Sequence, residues 1–191
     1  MHGPRDFYGP ERLTPSVFLF ATPRQLIGGV ARDGLTAISC EDTRWQRRDY
    51  KTTQLVSQSL AYRAARRAGA VTAIMHEDGI VTEAASANLW IVTSDGKLVT
   101  RNLSSALLPG ITRARVQALL GDIELEERPF SLDETRTAQE AFTSSTGAMI
   151  APLLALDDHP IGDGRPGQVT RKVQAAYYGF IGADVEAIAW L

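Results

Sequence analysis

Short apolar runs separated by turn residues dominate the middle of this chain. Runs of this kind, bounded by Gly, Pro, Asn and Asp, predict β-strands. The predicted strands cover residues 17–21, 35–40, 71–76, 80–83, 88–93, 97–100, 123–130, 140–145 and 149–156. Asp-Gly pairs at 78–79 and 95–96 lie between such runs, and this pair is a strong signal for a hairpin turn. We therefore predict an antiparallel meander over residues 71–100.

Helical patterns flank these strands. The clearest covers residues 53–68, because apolar residues recur there at four-residue spacing and would form one face of a helix. These apolar residues are Val56, Leu60, Ala64 and Ala68. Gly69 can end this helix in the left-handed conformation. Two further helices are predicted, one over residues 112–120 and one that follows the GDGRPG loop and ends near Trp190.

Strands in the centre with helices on either side predict an α+β fold. Residues 1–33 differ from the rest, because they are rich in Pro, Gly and Arg around a single apolar run. A lone strand cannot bury its faces without partners, so this segment is typical of the end of another unit. We therefore predict a domain boundary after residue 33 and one large domain over residues 34–191.

Composition narrows the classes of function. The chain has 191 residues, a net charge of −2 and a pI of about 5.9, so it offers no basic surface for nucleic acid or an anionic membrane. Cys40 is its only cysteine, which excludes an internal disulfide and a site of several thiolates, and no metal is expected. No apolar run reaches the length of a membrane span, and the first residues lack the pattern of a signal peptide. We expect a cytoplasmic protein.

A carboxylate interrupts the apolar pattern in IVTEAASANLWIV, residues 80–92. Glu83 lies within a predicted strand and is followed by four small residues and an asparagine, after which the apolar run resumes. A functional carboxylate would explain this position. A glutamate that faces water at a strand end would explain it equally well.

Lys51 differs from the other basic residues. It is one of only three lysines in a chain that otherwise uses arginine, and Lys97 and Lys172 lie beside a turn and in the terminal helix. Lysine, unlike arginine, can lose its proton and form a Schiff base. An ordinary solvated lysine is the alternative interpretation.

Two segments could bind a phosphate group. Gly110-Ile111-Thr112 begins a predicted helix, where backbone N–H groups attract anions. FTSSTGA, residues 142–148, places hydroxyl groups and a glycine at the end of a strand. Many helices begin like the first segment and a simple turn explains the second, so neither pattern assigns a ligand alone.

Five motifs, taken in chain order, resemble the class IV aminotransferases, the fold type IV enzymes that use pyridoxal 5′-phosphate. The motifs are DTRWQRRDYK, VTEAASAN, LLPGITR, FTSSTGAMIAP and IGDGRPGQVTRK, and the resemblance runs from about Gly3 to Tyr178. D-Amino-acid aminotransferases are the most similar members, because they carry a D-x-K lysine motif after an E-D-x-R-W stretch. The resemblance implies a homodimer that transfers the amino group of a D-amino acid such as D-alanine to a 2-oxo acid.

The resemblance also implies roles for individual residues. Lys51 matches the lysine that forms the Schiff base and moves the proton between the substrate Cα and the cofactor C4′, and Glu83 matches the carboxylate that pairs with the pyridine nitrogen. Arg5 matches an arginine that binds the substrate carboxylate, although Phe7 replaces the family's histidine. The remaining cofactor-binding positions are Leu108 on the ring face, the Ile111 and Thr112 amides and the Thr146 hydroxyl on the phosphate, Ser86 near the cofactor and Arg44 behind it.

The sequence also departs from the family pattern. Ala84 replaces the glycine that usually follows the glutamate. Family members have a complete small N-terminal α/β domain, and residues 1–33 match only its last part and the linker, while residues 34–191 match the large cofactor-binding domain. Activity of this chain is therefore expected to be impaired. The alternatives are a branched-chain L-amino-acid aminotransferase, a 4-amino-4-deoxychorismate lyase and an inactive cofactor-domain fragment.

Overall fold

A computed structural model describes residues 15–23, 25 and 27–191 of the chain. The elements, in chain order, are α1 (Gly29–Asp33), β1 (Leu35–Glu41), α2 (Val56–Arg67), β2 (Thr72–Glu77), β3 (Ile80–Ala84), β4 (Asn88–Val92), β5 (Leu98–Thr100), α3 (Ile111–Ala118), β6 (Leu125–Glu127), α4 (Leu132–Thr137), β7 (Glu140–Ser145), β8 (Met149–Leu156), β9 (His159–Pro160) and α5 (Gln168–Phe180). This mixture confirms the α+β class predicted from the sequence.

The strands of the described residues form one mixed sheet. Their order is β3-β2-β1-β8-β7-β4-β5-β6, and β9 pairs with β8. β1 runs parallel to both β2 and β8, and β5 runs parallel to β6, whereas the remaining pairs are antiparallel. Only residues 85–87 connect β3 to β4, although β2, β1, β8 and β7 lie between them in the strand order. The sheet therefore curls, so that its β3 edge approaches β4.

The two faces of the sheet bury different sets of side chains. Successive residues of a strand point to opposite faces. In β4, Leu89 and Ile91 pack into one apolar cluster, whereas Trp90 and Val92 pack into another with side chains from α3 and α5. Both clusters are buried, which is why β4 has no polar residue after Asn88. The sheet thus has a core on each face.

The Asp-Gly hairpins are confirmed, but the continuous meander is wrong. Asp78 and Gly79 have φ values of 49° and 79°, as the turn between β2 and β3 requires. β4 pairs with β5 and β7 rather than with β3, which it meets only through a bridge between Ala84 and Ala87. The chain leaves one end of the sheet after β3 and enters its other half at β4.

The helix α2 is confirmed, but its buried face differs from the predicted one. Ala61 and Ala65 are buried, whereas Val56 and Leu60 are 73% and 57% exposed. The small alanines allow close packing of the helix on β2, where Ala61 joins a cluster with Met75. The larger apolar side chains consequently face away from the sheet.

Other differences lie near the chain termini. Residues 17–21 form no regular strand, and Val17 to Phe20 are at least 79% exposed, because no strand of the sheet pairs with them. α5 ends at Phe180 rather than near Trp190, since Gly182 takes a left-handed conformation with φ 81°. α4 was not predicted, although Ser131 and Glu134 form a capping box at its start.

The predicted domain boundary falls directly after α1. Ala31 of this helix is 2% exposed, and Gln174 Nε2 of α5 donates to the carbonyls of Ala31 at 2.7 Å and Ile150 at 2.9 Å. α1 is thereby fastened to β8 and α5. The division into two domains stays a prediction.

Two further properties of residues 27–191 bear on function. No helix in this range is both long enough and apolar enough to cross a membrane. Within the same range, no three His, Cys, Asp or Glu side chains are grouped as metal ligands.

Candidate active site

A cavity of about 1010 Å³ opens where several connections of the sheet meet. Its walls come from the segment between β1 and α2, the β3–β4 turn, the loop before α3 and the β7–β8 turn. The sequence-predicted positions that line it are Arg44, Lys51, Glu83, Ser86, Leu108, Ile111, Thr112 and Thr146. Arg5, predicted to bind the substrate carboxylate, lies outside the described residues. The fold thus brings together residues as distant in the sequence as Arg44 and Thr146.

Glu83 occupies the buried part of this cavity. It lies in β3 next to the turn that leads into β4, and the residue is 5% exposed. One carboxylate oxygen accepts a hydrogen bond from Arg44 Nη1. The other accepts from Asn88 Nδ2 at 3.2 Å and from the Leu108 N–H at 3.3 Å. Glu83 therefore does not face water, and its carboxylate is held in one orientation by three donors.

Burial is the strongest influence on the protonation of Glu83. It raises the pKa of the carboxyl group, while the Arg44 guanidinium and the Leu108 N–H act in the opposite direction. For Arg44, burial disfavours the charged form, but Asp42 and Glu83 outweigh it and raise the pKa of the guanidinium. Arg44 consequently stays protonated beside a carboxyl group that binds a proton more readily than usual.

A row of charged side chains continues behind Glu83. Asp42 accepts hydrogen bonds from Arg44 Nε at 2.9 Å and Arg44 Nη2 at 2.6 Å, and its side chain is fully buried. Arg48 Nε lies 3.2 Å from Asp42, and Arg48 Nη2 donates to Glu77 at 2.7 Å. Opposite charges alternate along the row, which offsets part of the cost of burying them.

The N-terminus of α3 also lines the cavity. Its first intrahelical hydrogen bond runs from the Ala114 N–H to the Gly110 carbonyl, so the amides that precede Ala114 have no partner within the helix. Gly110 provides no side-chain cap. The Thr112 hydroxyl is buried and has no hydrogen-bond partner among the described residues. In the described part of the chain, the Ile111 and Thr112 amides have no acceptor, and they give this end of the helix a positive potential that suits an anion.

The remaining predicted residues lie at the exposed rim. Lys51 is exposed in the segment before α2, and Thr146 is exposed in the β7–β8 turn. The Ser86 hydroxyl shares a hydrogen bond of 2.5 Å with the Tyr62 hydroxyl of α2. The cavity thus combines a buried carboxylate, an amine at its rim, and amide and hydroxyl groups that can bind an anion.

Three further residues belong to the site and were not predicted from the sequence: Asn88, Asp42 and Tyr62. Asn88 Nδ2 bonds both Glu83 and the Leu108 carbonyl, the latter at 2.9 Å, and so ties the carboxylate to the loop before α3. Its signal in the sequence was a polar residue directly before the buried run Leu89 to Val92. Asp42 had a comparable signal at the end of a strand. Tyr62 had none, because its contact with Ser86 depends on how α2 packs.

Comparison with known proteins gives a family match. The family model described as amino-transferase class IV matches residues 1–156. The chain is 34% identical over 175 residues to D-alanine aminotransferase from Bacillus licheniformis, covering 91% of this chain and 62% of that protein. It is 35% identical over 151 residues to D-alanine aminotransferase from Staphylococcus aureus strain MSSA476, covering 78% of this chain and 53% of that protein. The chain therefore spans about three fifths or less of the length of these relatives.

The fold of this chain also resembles solved structures of aminotransferases. A branched-chain amino acid aminotransferase from Thermobaculum terrenum, in its pyridoxal-phosphate holo form, superposes with a TM-score of 0.73 at 29% identity. That match covers 87% of this chain and 58% of the other. The branched-chain amino acid aminotransferase of Escherichia coli gives a TM-score of 0.70 at 31% identity, over 84% of this chain and 57% of the other.

Proposed function

Because this chain belongs to the class IV aminotransferases, we propose that it transfers the amino group of a D-amino acid, such as D-alanine, to a 2-oxo acid, with Lys51 as the catalytic residue. The observation that carries the proposal is the convergence of Lys51, Glu83 and the N-terminus of α3 on one cavity. The D-stereochemistry is supported by the curated relatives, which are D-alanine aminotransferases. These substrates are small molecules, in keeping with the size of the cavity.

The residues of the cavity fit pyridoxal 5′-phosphate, the cofactor of this family. The buried Thr112 hydroxyl and the first amides of α3 have no partner among the described residues, and a phosphate would satisfy them. We propose that the Ile111 and Thr112 amides and the Thr146 hydroxyl hold the phosphate, with Ser86 nearby. Leu108 would pack on the ring, and Glu83 would accept a hydrogen bond from the protonated ring nitrogen and so keep the proton there. When bound, this cofactor supplies an electron sink for the bond that breaks at the substrate Cα.

Glu83 and Lys51 have complementary tasks. Glu83 has donors for its anionic form in Arg44, Asn88 and Leu108, and burial increases its affinity for a proton. It can therefore hold a proton at the pyridine nitrogen in a site with little water. Lys51 Nζ would attach the cofactor covalently. Once the substrate amine has replaced it there, the released lysine amine would carry the proton removed from the substrate Cα. An arginine could not perform this step, because it keeps its proton.

We further infer a homodimer, as the sequence resemblance implies, and a cytoplasmic location, which the single cysteine suits. Large apolar side chains at the cavity support an interface, since Leu55, Val56 and Ile111 are 54%, 73% and 75% exposed. Sedimentation measurements on the purified chain test the dimer directly.

Covalent attachment to Lys51 can be tested without measuring turnover. The chain is incubated with pyridoxal 5′-phosphate, reduced with borohydride and digested, and the modified peptide is identified by mass spectrometry. We expect the label on Lys51, and we expect Lys51→Arg to abolish it. Lys172→Arg is the matched control, because Lys172 is exposed in α5. Lys97 should stay unlabelled, since Glu126 and Glu124 bind its ammonium at 2.9 and 3.2 Å. A label only on Lys97 or Lys172 would refute the assignment.

Branched-chain L-amino-acid transamination is the second candidate, because the matched solved structures are branched-chain aminotransferases. The two candidates differ in substrate and in stereochemistry. Turnover of D-alanine, L-leucine and L-valine with 2-oxoglutarate, and of D-glutamate with pyruvate, is measured on one preparation. We expect the D-amino acids to react faster, and faster turnover of L-leucine or L-valine would favour the second candidate.

A further inference from the structure

Arg44 divides its guanidinium between two buried carboxylates. Nε and Nη2 donate to the two oxygens of Asp42, at 2.9 and 2.6 Å, in the bidentate geometry that is strongest for this pair. This leaves Nη1 for Glu83. The side chains of Arg44, Asp42 and Glu83 are 8%, 0% and 6% exposed, so water screens these contacts only weakly.

Asp42 is itself fixed by the surrounding strands. Its N–H donates to the His76 carbonyl at 2.8 Å, which continues the pairing of β1 with β2. Its Oδ2 accepts from the Thr82 hydroxyl of β3 at 2.6 Å, and Arg48 approaches the same oxygen at 3.2 Å. Arg101, the next guanidinium along this side, donates instead to the carbonyl of Val81. The fold therefore determines where Asp42 holds Arg44.

We propose that Asp42 is a positioning residue for the candidate active site. By holding two nitrogens of Arg44, Asp42 restricts Arg44 to a single contact with Glu83. The Glu83 carboxylate is thereby less completely neutralised and keeps its capacity to hold a proton on the side that faces the cavity. A bidentate pair between Arg44 and Glu83 would neutralise the carboxylate more completely. The negative charge of Asp42 adds to the effect, since it raises the pKa of Glu83 directly. The consequence for the protonation of the cofactor's ring nitrogen rests on the proposed function, whereas the effect of Asp42 on the pKa of Glu83 does not.

The first test uses the cofactor-free chain. The protonation of the Glu83 carboxyl is followed by carbon NMR against pH, and Glu83→Gln identifies its signal. Asp42→Asn should lower the pKa of Glu83, because Arg44 gains freedom to make a second contact and the repulsion from Asp42 is lost. Glu77→Gln is the matched control, since Glu77 belongs to the same charged row and contacts Arg48 rather than Arg44. An unchanged Glu83 pKa in Asp42→Asn, or an equal fall in Glu77→Gln, would overturn the proposal.

A second comparison separates positioning from direct repulsion. In an Arg44→Met background, Asp42→Asn should shift the Glu83 pKa by less than it does when Arg44 is present. Equal shifts in both backgrounds would show that Asp42 acts without Arg44 and would reject the positioning role.

The native chain provides a measurement that does not depend on a variant folding. An Arg44 guanidinium held by two carboxylates should give separate nitrogen NMR signals for Nη1 and Nη2 and slow rotation about its Nε–Cζ bond. A single averaged signal would contradict the proposal.

The cofactor-loaded protein gives the functional readout. With pyridoxal 5′-phosphate labelled at the ring nitrogen, Asp42→Asn should move the nitrogen NMR signal toward that of the unprotonated ring. An unmoved signal would contradict the inference that Asp42, through Glu83, affects the protonation of the ring nitrogen. If the native chain binds no cofactor while the Glu83 pKa still responds to Asp42→Asn, the proposed function fails and the link from Asp42 to Glu83 stands.

Discussion

The N-termini of α3 and α5 are built alike but differ in the group that accepts hydrogen bonds from their first amides. Each helix follows a glycine that provides no side-chain cap, Gly110 for α3 and Gly167 for α5. At α5, the Glu140 carboxylate accepts hydrogen bonds from the Val169 N–H at 3.0 Å and the Thr170 N–H at 2.8 Å. At α3, the first two residues, Ile111 and Thr112, border the cavity instead. The protein supplies the anion for one helix and leaves room for an external anion at the other.

The difference comes from the neighbouring strands. Glu140 is the first residue of β7, and Asn88 is the first residue of β4. Each side chain crowds its glycine, because an added Cβ would lie 2.0 Å from Glu140 Cδ at Gly167 and 2.2 Å from Asn88 Oδ1 at Gly110. Asn88, however, uses its amide for Glu83 and Leu108 and carries no charge. An uncapped helix start is thus informative only when the nearest polar side chain is engaged elsewhere.

Removal of the internal anion should have the largest effect. Glu140→Ala leaves the first amides of α5 and the Thr170 hydroxyl without their acceptor, and it should lower the free energy of unfolding by about 2–3 kcal/mol. Chemical denaturation measures this change. Asp133→Ala is the control, because among the described residues the Asp133 carboxylate contacts only Arg136, in an exposed pair, so its loss should change stability little. Equal losses in the two variants would mean that Glu140 does not cap α5.

The two glycines should separate stability from binding. Gly167→Ala displaces the Glu140 carboxylate and should lower the free energy of unfolding by about 1–3 kcal/mol, with little change in cofactor affinity. Gly110→Ala displaces Asn88, so it should also weaken binding of pyridoxal 5′-phosphate, by about tenfold if one charge-assisted contact is lost. Denaturation and a fluorescence titration are measured for both variants. Equal loss of cofactor affinity would remove the distinction between the two helix starts.

The smallest expected effect concerns Asp157, another carboxylate whose role, like that of Glu140, is structural. Burial acts to raise the pKa of Asp157, but hydrogen bonds from Ser39 and Arg136 outweigh it and hold the pKa below its ordinary value of 3.8. Because the folded-state pKa lies below the unfolded-state pKa, Asp157 stabilises the fold above pH 3.8. This contribution is lost as the pH falls through the folded-state pKa.

The variant Asp157→Asn tests this pH dependence. Asparagine tolerates the left-handed conformation of this position, where φ is 51°, so the backbone should be unchanged. Its free energy of unfolding should fall less steeply than that of the native chain as the pH drops below 3.8. Parallel curves for the two proteins would show that Asp157 carries no acid-dependent stability.

Local patterns predicted the elements well where the interactions are local. β7 and β8 have the predicted bounds, and the Asp-Gly pair at 78–79 forms its hairpin. The strand predicted over residues 17–21 did not form, because an apolar run becomes a strand only when another strand pairs with it. The buried face of α2 was wrong for a related reason. Periodicity locates an apolar stripe, but the closeness of β2 selected the smaller residues Ala61 and Ala65.

The candidate site was predictable in its residues but not in its connections. The positions of Lys51, Glu83 and Thr146 were identified by motif, and they line the same cavity. Their roles as catalytic and cofactor-binding groups stay predictions. Asn88 and Asp42 were missed because their importance lies in hydrogen bonds to Glu83 and Arg44. Such contacts depend on the register of the sheet, which a single sequence does not reveal.

The central position of β8 in the sheet affects the order of folding. The hairpin of β2 and β3 pairs residues close in sequence, whereas β1 pairs with β8, and Ser39 bonds to Asp157 118 residues away. Closing so long a loop costs entropy before the paired strands repay it, so contacts of this kind slow folding. During synthesis the β2–β3 hairpin can form early, but the middle of the sheet must await residues 149–156. The cavity includes the turn before β8, so it would be among the last parts of the molecule to assemble.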